Sequence, residues 1–340
     1  MKQAIMTSPG VIVYQEVPVP EVGPGQIEVK MMNIGVCGSD IHVWHGKHPY
    51  TSYPVVQGHE VSAVVTKVGS EVSEFKVGDK VTIQPQVVCG ECYPCTHGMY
   101  NDCEVLKVMG FQTTGMASDY FVVDAAKALK LPDNMSFEHG AMIEPLAVAC
   151  HAIRRFGDVT GKNVVVIGGG PIGNLVAQTA KAKGAKNVLV SEISAYRLET
   201  AQKCGLTTHN PKEISLRDAI YNTFGSDGAD VILECIGSPH TLKEAVDIAR
   251  KGSTIVVVGV VPDLCAVNMG FVQDHELSLI GSAMYRVEDY IEAIELVGAG
   301  LIEFDALITH RVPFSQYAEA YHLIEEQKDK AMKVMIEMDK

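Results

Sequence analysis

A chain of 340 residues, 47% hydrophobic and 20% charged, is too long for one ordinary core and reads as two globular domains without a disordered tract. Its formal net charge of −13 excludes a general nucleic-acid binder, because phosphates need a basic surface. No run approaches the roughly 18 apolar residues that span a bilayer, so no membrane partner is expected.

The amino end lacks the apolar stretch of a signal peptide, and a cytoplasmic setting is expected. Cysteines stay reduced there, so the nine in this chain need a reason other than disulfides. Up to about residue 145, short alternating runs at 27–31, 60–68 and 80–85 predict strands, divided by turn signals at Gly23-Pro24-Gly25 and Gly78-Asp79. Near Lys162 the texture changes. An apolar run at 163–167 leads through a glycine turn to a helix over 172–183 and a second buried-type run at 187–191. The alternation continues with a strand at 229–235, a helix at 241–250 and a strand at 254–260, which implies a parallel sheet with right-handed crossovers. Helical periodicity at 287–299 and 315–327 and a strand at 333–338 close the chain. The fold class is α/β. A doubly wound parallel sheet occupies 146–288, and a β-rich domain is built from 1–145 and completed by a return segment, 289–340.

Two sets of metal-type residues lie in the β-rich part. Cys89, Cys92, Cys95 and Cys103 follow C-x2-C-x2-C-x7-C, and four thiolates at these separations close a tetrahedron around one Zn²⁺ at ~2.3 Å per bond. Gly90, Pro94 and Gly98 supply the turns, and a closed shell of this kind stabilises a lobe (89–103) without performing chemistry. Disulfides or an iron–sulfur cluster are the competing readings. The second set is scattered: Cys37, the pair His59-Glu60, and Glu144, each at a turn or segment end. Mixed sulfur, nitrogen and oxygen ligands describe a catalytic zinc. A packed cysteine, a hydrogen-bonded histidine and a helix-capping glutamate describe the same residues equally well.

The glycine turn reads Gly168-Gly169-Gly170-Pro171-Ile172-Gly173, a G-x-G-x-x-G between a strand and a helix. Gly168 permits the tight turn, Gly170 lets a pyrophosphate approach the backbone, and Gly173 lets helix and strand pack closely. Phosphates then sit on the free N–H groups of the helix start, that of Ile172 included, with Pro171 as its first residue. Glu192, at the end of the next strand, is placed to accept hydrogen bonds from a ribose 2′-hydroxyl, which favours NAD over NADP; Ser191 and Arg197 lie close by in sequence. A structural glycine turn beside a solvated glutamate is the plain alternative.

The segments Gly35-Val36-Cys37-Gly38-Ser39-Asp40-Ile41-His42, Gly58-His59-Glu60, Val77-Gly78-Asp79-Lys80-Val81, the four-cysteine lobe, Ile143-Glu144-Pro145-Leu146-Ala147-Val148 and the glycine turn together carry a resemblance. Over essentially its whole length the chain resembles the zinc-containing medium-chain dehydrogenases, and within them the sorbitol (polyol) and sugar-acid branch. The resemblance implies a GroES-like catalytic domain plus a Rossmann domain with NAD in the cleft, and two zinc ions per chain, one catalytic and one structural. It implies Cys37 and His59 as ligands, Glu60 as a direct or exchangeable third, and Glu144 bound directly or through water where simple alcohol dehydrogenases carry a cysteine. By the same resemblance Ser39 is a proton-relay hydroxyl and His42 carries the proton onward. Nicotinamide contacts fall at Cys235-Ile236-Gly237 and at Val258-Gly259, with hydrophobic strand ends as the other explanation.

The implied reaction oxidises a secondary hydroxyl of a small polar substrate, a polyol or sugar acid, to a ketone. Diols and amino alcohols (threonine-type) are alternatives within the family. An NAD-binding regulatory protein is the alternative of another class, and it predicts damage at Cys37, Ser39, His59 or Glu144, all of which are present. A homotetramer or homodimer is expected, joined near the strand edge at 256–261. Departures from the polyol pattern, at Gly115 to Tyr120, at Val43 and at Gly281 to Arg286, touch the substrate pocket only. The loop from Trp44 to Tyr50 either lines that pocket or is a solvated surface loop. Arg286 or Lys47 is a candidate partner for a substrate carboxylate, against the commoner fate of a surface ion pair.

Overall fold

The computed structural model describes residues 1–339. The chain divides into two compact units, Met1–Glu144 with Ile308–Lys340, and Pro145–Leu307.

The first unit is built on the strand Gln26–Val36, long enough at 11 residues to carry several partners. Its mostly buried side chains come from both faces. It pairs antiparallel with Lys333–Glu337 on one side and with Glu60–Val68 on the other, and also takes Tyr120–Asp124. The seven-stranded sheet runs Ile308–Pro313, Lys333–Glu337, Gln26–Val36, Glu60–Val68, Lys80–Ile83 and Ala128–Lys130, with Tyr120–Asp124 beside Gln26–Val36. Register shifts at Glu28/Val29 and Met31/Asn33 bend the central pair, as bulges do. Ile27, Val29, Met31, Ile34, Val61, Ala63, Val65 and Val81 are wholly buried and form the core. An amino-terminal hairpin, Lys2–Ser8 with Val11–Glu16, lies outside this sheet.

The second unit holds a six-stranded, fully parallel sheet in the order Thr207–His209, Asn187–Ser191, Asn163–Ile167, Val231–Glu234, Thr254–Val257, Ser278–Gly281. Every residue of Asn163–Ile167 is buried, as a central strand covered on both faces requires, which is why it reads as an unbroken apolar run. The strand order reverses between Asn163–Ile167 and Val231–Glu234, the switch point where doubly wound sheets bind ligands. Apolar sequence outlasts the last parallel ladder positions. Thr254–Val257 stops short of 260 because the Val258 and Gly259 N–H groups both turn to the Glu234 carbonyl, at 2.8 and 2.9 Å.

Two expectations are corrected. The helix Val287–Gly298, assigned from sequence to the return segment that begins at 289, packs inside the second unit, and the first unit resumes at Ile308. Asp289 is fully buried there and bonds His151 Nδ1 at 2.9 Å, while Glu292 pairs with Lys183. The strand at 254–257 is not a sheet edge either: Ser278–Gly281, a short strand with exposed residues, covers it and forms the edge. Among the described residues no helix is long and apolar enough to cross a membrane.

Candidate metal centres and dinucleotide site

Cys37 ends the long central strand's neighbourhood and stands as N-cap of the helix Gly38–Trp44. Asp40, in that helix's first turn, folds back so that its Oδ2 accepts the Cys37 N–H at 2.9 Å. Glu60 opens the strand Glu60–Val68 directly opposite Gly35, where a Cβ would lie 2.2 Å from Glu60 Oε2. Glycine at 35 therefore makes the room that this carboxylate occupies. The donor atoms of Cys37, His59 and Glu60 lie within 4.8 Å of one another. His59 and Glu60 are buried and Cys37 is half-buried.

The surroundings of this group favour positive charge. Burial opposes the imidazolium of His59, but the Asp40 carboxylate, Cys37 and the Glu144 charge outweigh it and hold the group well above its ordinary 6.5. His59 Nδ1 makes no hydrogen bond and faces Asp40 Oδ1 at 3.6 Å, an orienting carboxylate behind a ring whose Nε2 is left for a ligand. Burial pushes Asp40 up, and His59 and the Cys37 N–H pull it back. Lys333, buried in the strand Lys333–Glu337, donates to both Glu60 oxygens at 2.7 and 2.6 Å and to the Val36 carbonyl at 3.2 Å. Burial disfavours its charge, yet Glu60, Cys37 and Glu144 raise it above 10.5. The buried Lys333 thus stands against the Glu60 carboxylate, and a thiol, an imidazole and a carboxylate converge in the donor mixture that suits zinc.

Ser39 Oγ is 3.8 Å from Cys37 Sγ, and His42 lies one turn further along the same helix with its ring exposed. Glu144 is buried in the first turn of the helix Ile143–Phe156 and acts electrostatically on His59 and Lys333, but it stands outside the group of donors within 4.8 Å. Two aromatic neighbours complete the surroundings, and Phe111 belongs to no sequence motif. Phe111 is buried with its ring centroid 4.9 Å from His59 and 4.8 Å from His48, stacked on the latter at 14°. His48 Nδ1 bonds Thr51 Oγ1 at 2.7 Å. Burial, then the charges of His42 and His59, pushes His48 below its ordinary 6.5 and leaves it neutral at physiological pH. The loop from Trp44 to Tyr50 thereby places one residue, His48, beside the metal-type group, while Lys47 is exposed.

In the cysteine lobe, Cys89 Sγ lies 3.9 Å from Cys95 Sγ and 3.6 Å from Cys103 Sγ, and Cys92 Sγ lies 3.9 Å from Cys103 Sγ. Four sulfurs each ~2.3 Å from one centre sit ~3.8 Å apart, so these separations already fit a tetrahedral zinc. The Cys92 N–H approaches Cys89 Sγ at 3.4 Å and the Cys89 N–H approaches Cys103 Sγ at the same distance. Backbone N–H groups of Glu91 and Cys92 draw the Cys89 thiol down to about 7, toward the thiolate that binds metal. The sulfurs are not disulfide-bonded.

In the second unit, Gly168 follows the strand Asn163–Ile167 at φ +101°, a conformation side chains resist, and a Cβ there would strike Ile236 at 2.7 Å. At Gly173 a Cβ would lie 1.9 Å from the Gly168 carbonyl, whereas at Gly170, N-cap of Pro171–Ala182, nothing lies nearer than Arg197 Nη1 at 3.8 Å. Pro171 opens that helix, where its missing N–H costs nothing, and Ile172 continues its first turn. Glu192 is buried beyond the end of Asn187–Ser191. Its Oε2 accepts the Gly169 N–H at 2.8 Å and its Oε1 accepts those of Ile193 and Ser194 at 2.7 and 2.8 Å, with Arg197 Nη1 3.8 Å from Oε2. The carboxylate is fixed against the glycine turn. Glu234, fully buried one strand away, does the same for the next turn, taking the N–H groups of Ile236 and Gly237 at 2.9 Å and the Thr241 hydroxyl at 2.8 Å. Arg286 is half-buried, and its N–H donates to Asp289 Oδ2 at 2.7 Å.

Residues 23–133 match the alcohol dehydrogenase GroES-like domain, and residues 171–299 match the zinc-binding dehydrogenase domain. The 2-dehydro-3-deoxy-L-galactonate 5-dehydrogenase of Pseudoalteromonas atlantica is 36% identical over 298 residues, 87% of each chain. The sorbitol dehydrogenase of Bacillus subtilis is 31% identical over 99% of this chain and 97% of its own. Among solved structures, the alcohol dehydrogenase rspB of Escherichia coli CFT073, complexed with NADH, is 33% identical, covers 99% of both chains and superposes with a TM-score of 0.92. The chain belongs to the zinc-containing medium-chain dehydrogenases. It lies in their polyol and sugar-acid branch and is an oxidoreductase with zinc and NAD as cofactors. In this zinc dehydrogenase the seven-stranded sheet is the GroES-like fold and the six-stranded parallel sheet the Rossmann fold.

Proposed function

We propose that the protein oxidises a secondary hydroxyl of a polyol or sugar acid to a ketone, using Cys37, His59 and Glu60 as the catalytic metal set, with Glu144 beside them. The observation that carries this reading is the convergence of those three donors within 4.8 Å, next to the Ser39 hydroxyl. When bound, zinc supplies Lewis acidity that lowers a hydroxyl's pKa, and NAD accepts the hydride. The chain's own residues do the rest. Ser39 Oγ takes the proton of the substrate hydroxyl, and the exposed His42 one turn on returns it to solvent. The Phe111 ring presents an apolar face to the substrate's neighbouring carbons, and the neutral His48 a hydrogen-bonding edge to their hydroxyls. Cys89, Cys92, Cys95 and Cys103 hold the structural zinc. Gly168, Gly170, Pro171, Ile172 and Gly173 cradle the pyrophosphate, and Glu192 takes the ribose hydroxyls, with Arg197 near it and Val258-Gly259 toward the nicotinamide. Relatives that act on L-galactonate derivatives and on sorbitol support the substrate class.

The test is NAD⁺ reduction, followed by NADH absorbance, by the zinc-replete protein on polyols, aldonates, diols, amino alcohols and simple alcohols, with Cys37→Ala alongside. Activity on a polyol or aldonate that vanishes in the variant is the expected outcome. Activity confined to diols or amino alcohols, or none at all with zinc and NAD bound, would overturn the substrate class.

We further infer that copies of the chain associate along the edge strand Ser278–Gly281, which has no neighbouring strand on its outer side and leaves Leu279 exposed at 40%, although Arg155 Nε already donates to the Gly281 carbonyl at 2.8 Å.

A further inference from the structure

The return segment reaches the metal-type group twice, and its second contact is not with a ligand. Tyr321, in the helix Tyr317–Gln327, is wholly buried and donates its hydroxyl hydrogen to Gln57 Oε1 at 2.6 Å. Gln57, 2% exposed, donates from Nε2 to Asp40 Oδ1 at 3.1 Å. That same oxygen faces His59 Nδ1 at 3.6 Å, while Asp40 Oδ2 holds the Cys37 N–H. Each member has its polarity set by the next. Turning the Gln57 amide over would point its oxygen at a carboxylate, so the orientation seen is the one in which the tyrosine must donate.

The Tyr321 ring has its own anchor. It stacks on Trp44 with centroids 4.6 Å apart and planes 8° from parallel, and Trp44 ends the helix that begins at Cys37 and carries Asp40. One side chain therefore grips the far end of that helix by its ring and the near end, through Gln57, by its hydroxyl.

We propose that Tyr321 and Gln57 are positioning residues for the catalytic metal set, holding the Asp40 carboxylate behind His59 through a buried hydrogen-bonded chain. This rests on the reading of Cys37, His59 and Glu60 as zinc donors. Losing a partner of this kind typically costs 10–100-fold in metal affinity. A packing role alone would depend on the ring and not on the hydroxyl. Tyr321→Phe keeps the ring on Trp44 and removes the hydroxyl, with its bond to Gln57 and the one it shares with Tyr317, and Gln57→Leu cuts the chain to Asp40 while leaving the Tyr317 bond in place.

The experiment follows zinc release to an excess of chelator from the full-length zinc-loaded protein. Cys37→Ala and Cys103→Ala identify which release phase belongs to which set. In Tyr321→Phe and in Gln57→Leu the Cys37-dependent phase is expected to quicken about 10-fold, with the Cys103-dependent phase unchanged. Asp40→Asn combined with Tyr321→Phe is expected to release zinc no faster than Asp40→Asn alone, because the tyrosine acts through the carboxylate. Wild-type release from both single variants, or full additivity in the double variant, would overturn the proposal. Should Cys37→Ala retain both wild-type phases, the reading of the metal set itself fails, and the chain behind His59 loses its purpose with it.

Discussion

A Cβ on Gly173 would stand 1.9 Å from the Gly168 carbonyl oxygen, whereas one on Gly170, at φ −65°, would meet nothing nearer than 3.8 Å. The two positions therefore separate folding from binding. Gly173→Ala forces helix and turn apart and is expected to cost about 1–3 kcal/mol of unfolding free energy. Gly170→Ala is expected to unfold at the wild-type temperature yet bind NAD about 10-fold more weakly, a loss of ~1.4 kcal/mol, because the added methyl fills the space a phosphate would take. Calorimetry of unfolding beside NAD titration checks both, and equal NAD affinity in Gly170→Ala would reject the second. At this scale the sequence was informative wherever neighbours in the chain carry the signal: the glycine turn, the cysteine lobe and His59-Glu60 are all short motifs. Lys333 was legible only as a strand residue, and nothing in its own neighbourhood points to Glu60, 273 positions away. Phe111 shares that blindness, since an aromatic stack leaves no spacing to read, whereas His48 was covered by the pocket reading of its loop without being singled out in it.

Strands and turns bring charge together in ways that titration can report. Asp79, in the turn before Lys80–Ile83, accepts the Lys76 N–H at 3.0 Å and pairs at 2.9 Å with Lys130 of the neighbouring strand Ala128–Lys130. Burial pushes its carboxyl up, but the bonds from Lys130 and Lys76 and their charges pull it below the ordinary 3.8. A carboxyl depressed in the folded state contributes stability that is fully present above its unfolded value and disappears as pH falls through the folded one. Lys130→Met is accordingly expected to be less stable than the wild type at neutral pH by under ~1 kcal/mol, because the Lys130 end of the pair is half in solvent, and the two are expected to converge below pH 3.8. Urea unfolding at neutral and acid pH measures this, and a gap that persists in acid would assign the loss to packing instead. Elements themselves were readable where burial is two-sided or periodic: Glu60–Val68, Asn163–Ile167 and Asn187–Ser191 match the apolar runs residue for residue. Ser278–Gly281 escaped because an exposed edge strand of four residues has no apolar face to announce it.

For the molecule as a whole, the exposed edge and the apolar side chains of the same unit bear on assembly. Val260, Leu264 and Met269 are exposed at 84, 101 and 62%. Apolar surface of this kind, in a unit that also ends in an open sheet edge, is what partners cover. Leu279→Lys is expected to shift sedimentation toward smaller species; an unchanged distribution, or a wild type that sediments as a monomer, would reject association through this edge. The division of the first unit around the second was readable only as a return of strand character near residue 333. The exact crossing at Ile308 was not, because the helix Val287–Gly298 is amphipathic and suits either unit.

The placement of Lys333–Glu337 beside Gln26–Val36 bears on how the protein is made. Synthesis delivers the parallel sheet of the second unit whole, all its strands emerging between Asn163 and Gly281, so that unit has everything it needs to fold on the ribosome. The first unit does not. Its long central strand waits, one edge bare, for a partner made some three hundred residues later, and Lys333, which neutralises Glu60, arrives with that partner. The proposed metal set of Cys37, His59 and Glu60 therefore gains its buried lysine late, and a nascent protein truncated before Lys333 carries those three donors without the cation beside them.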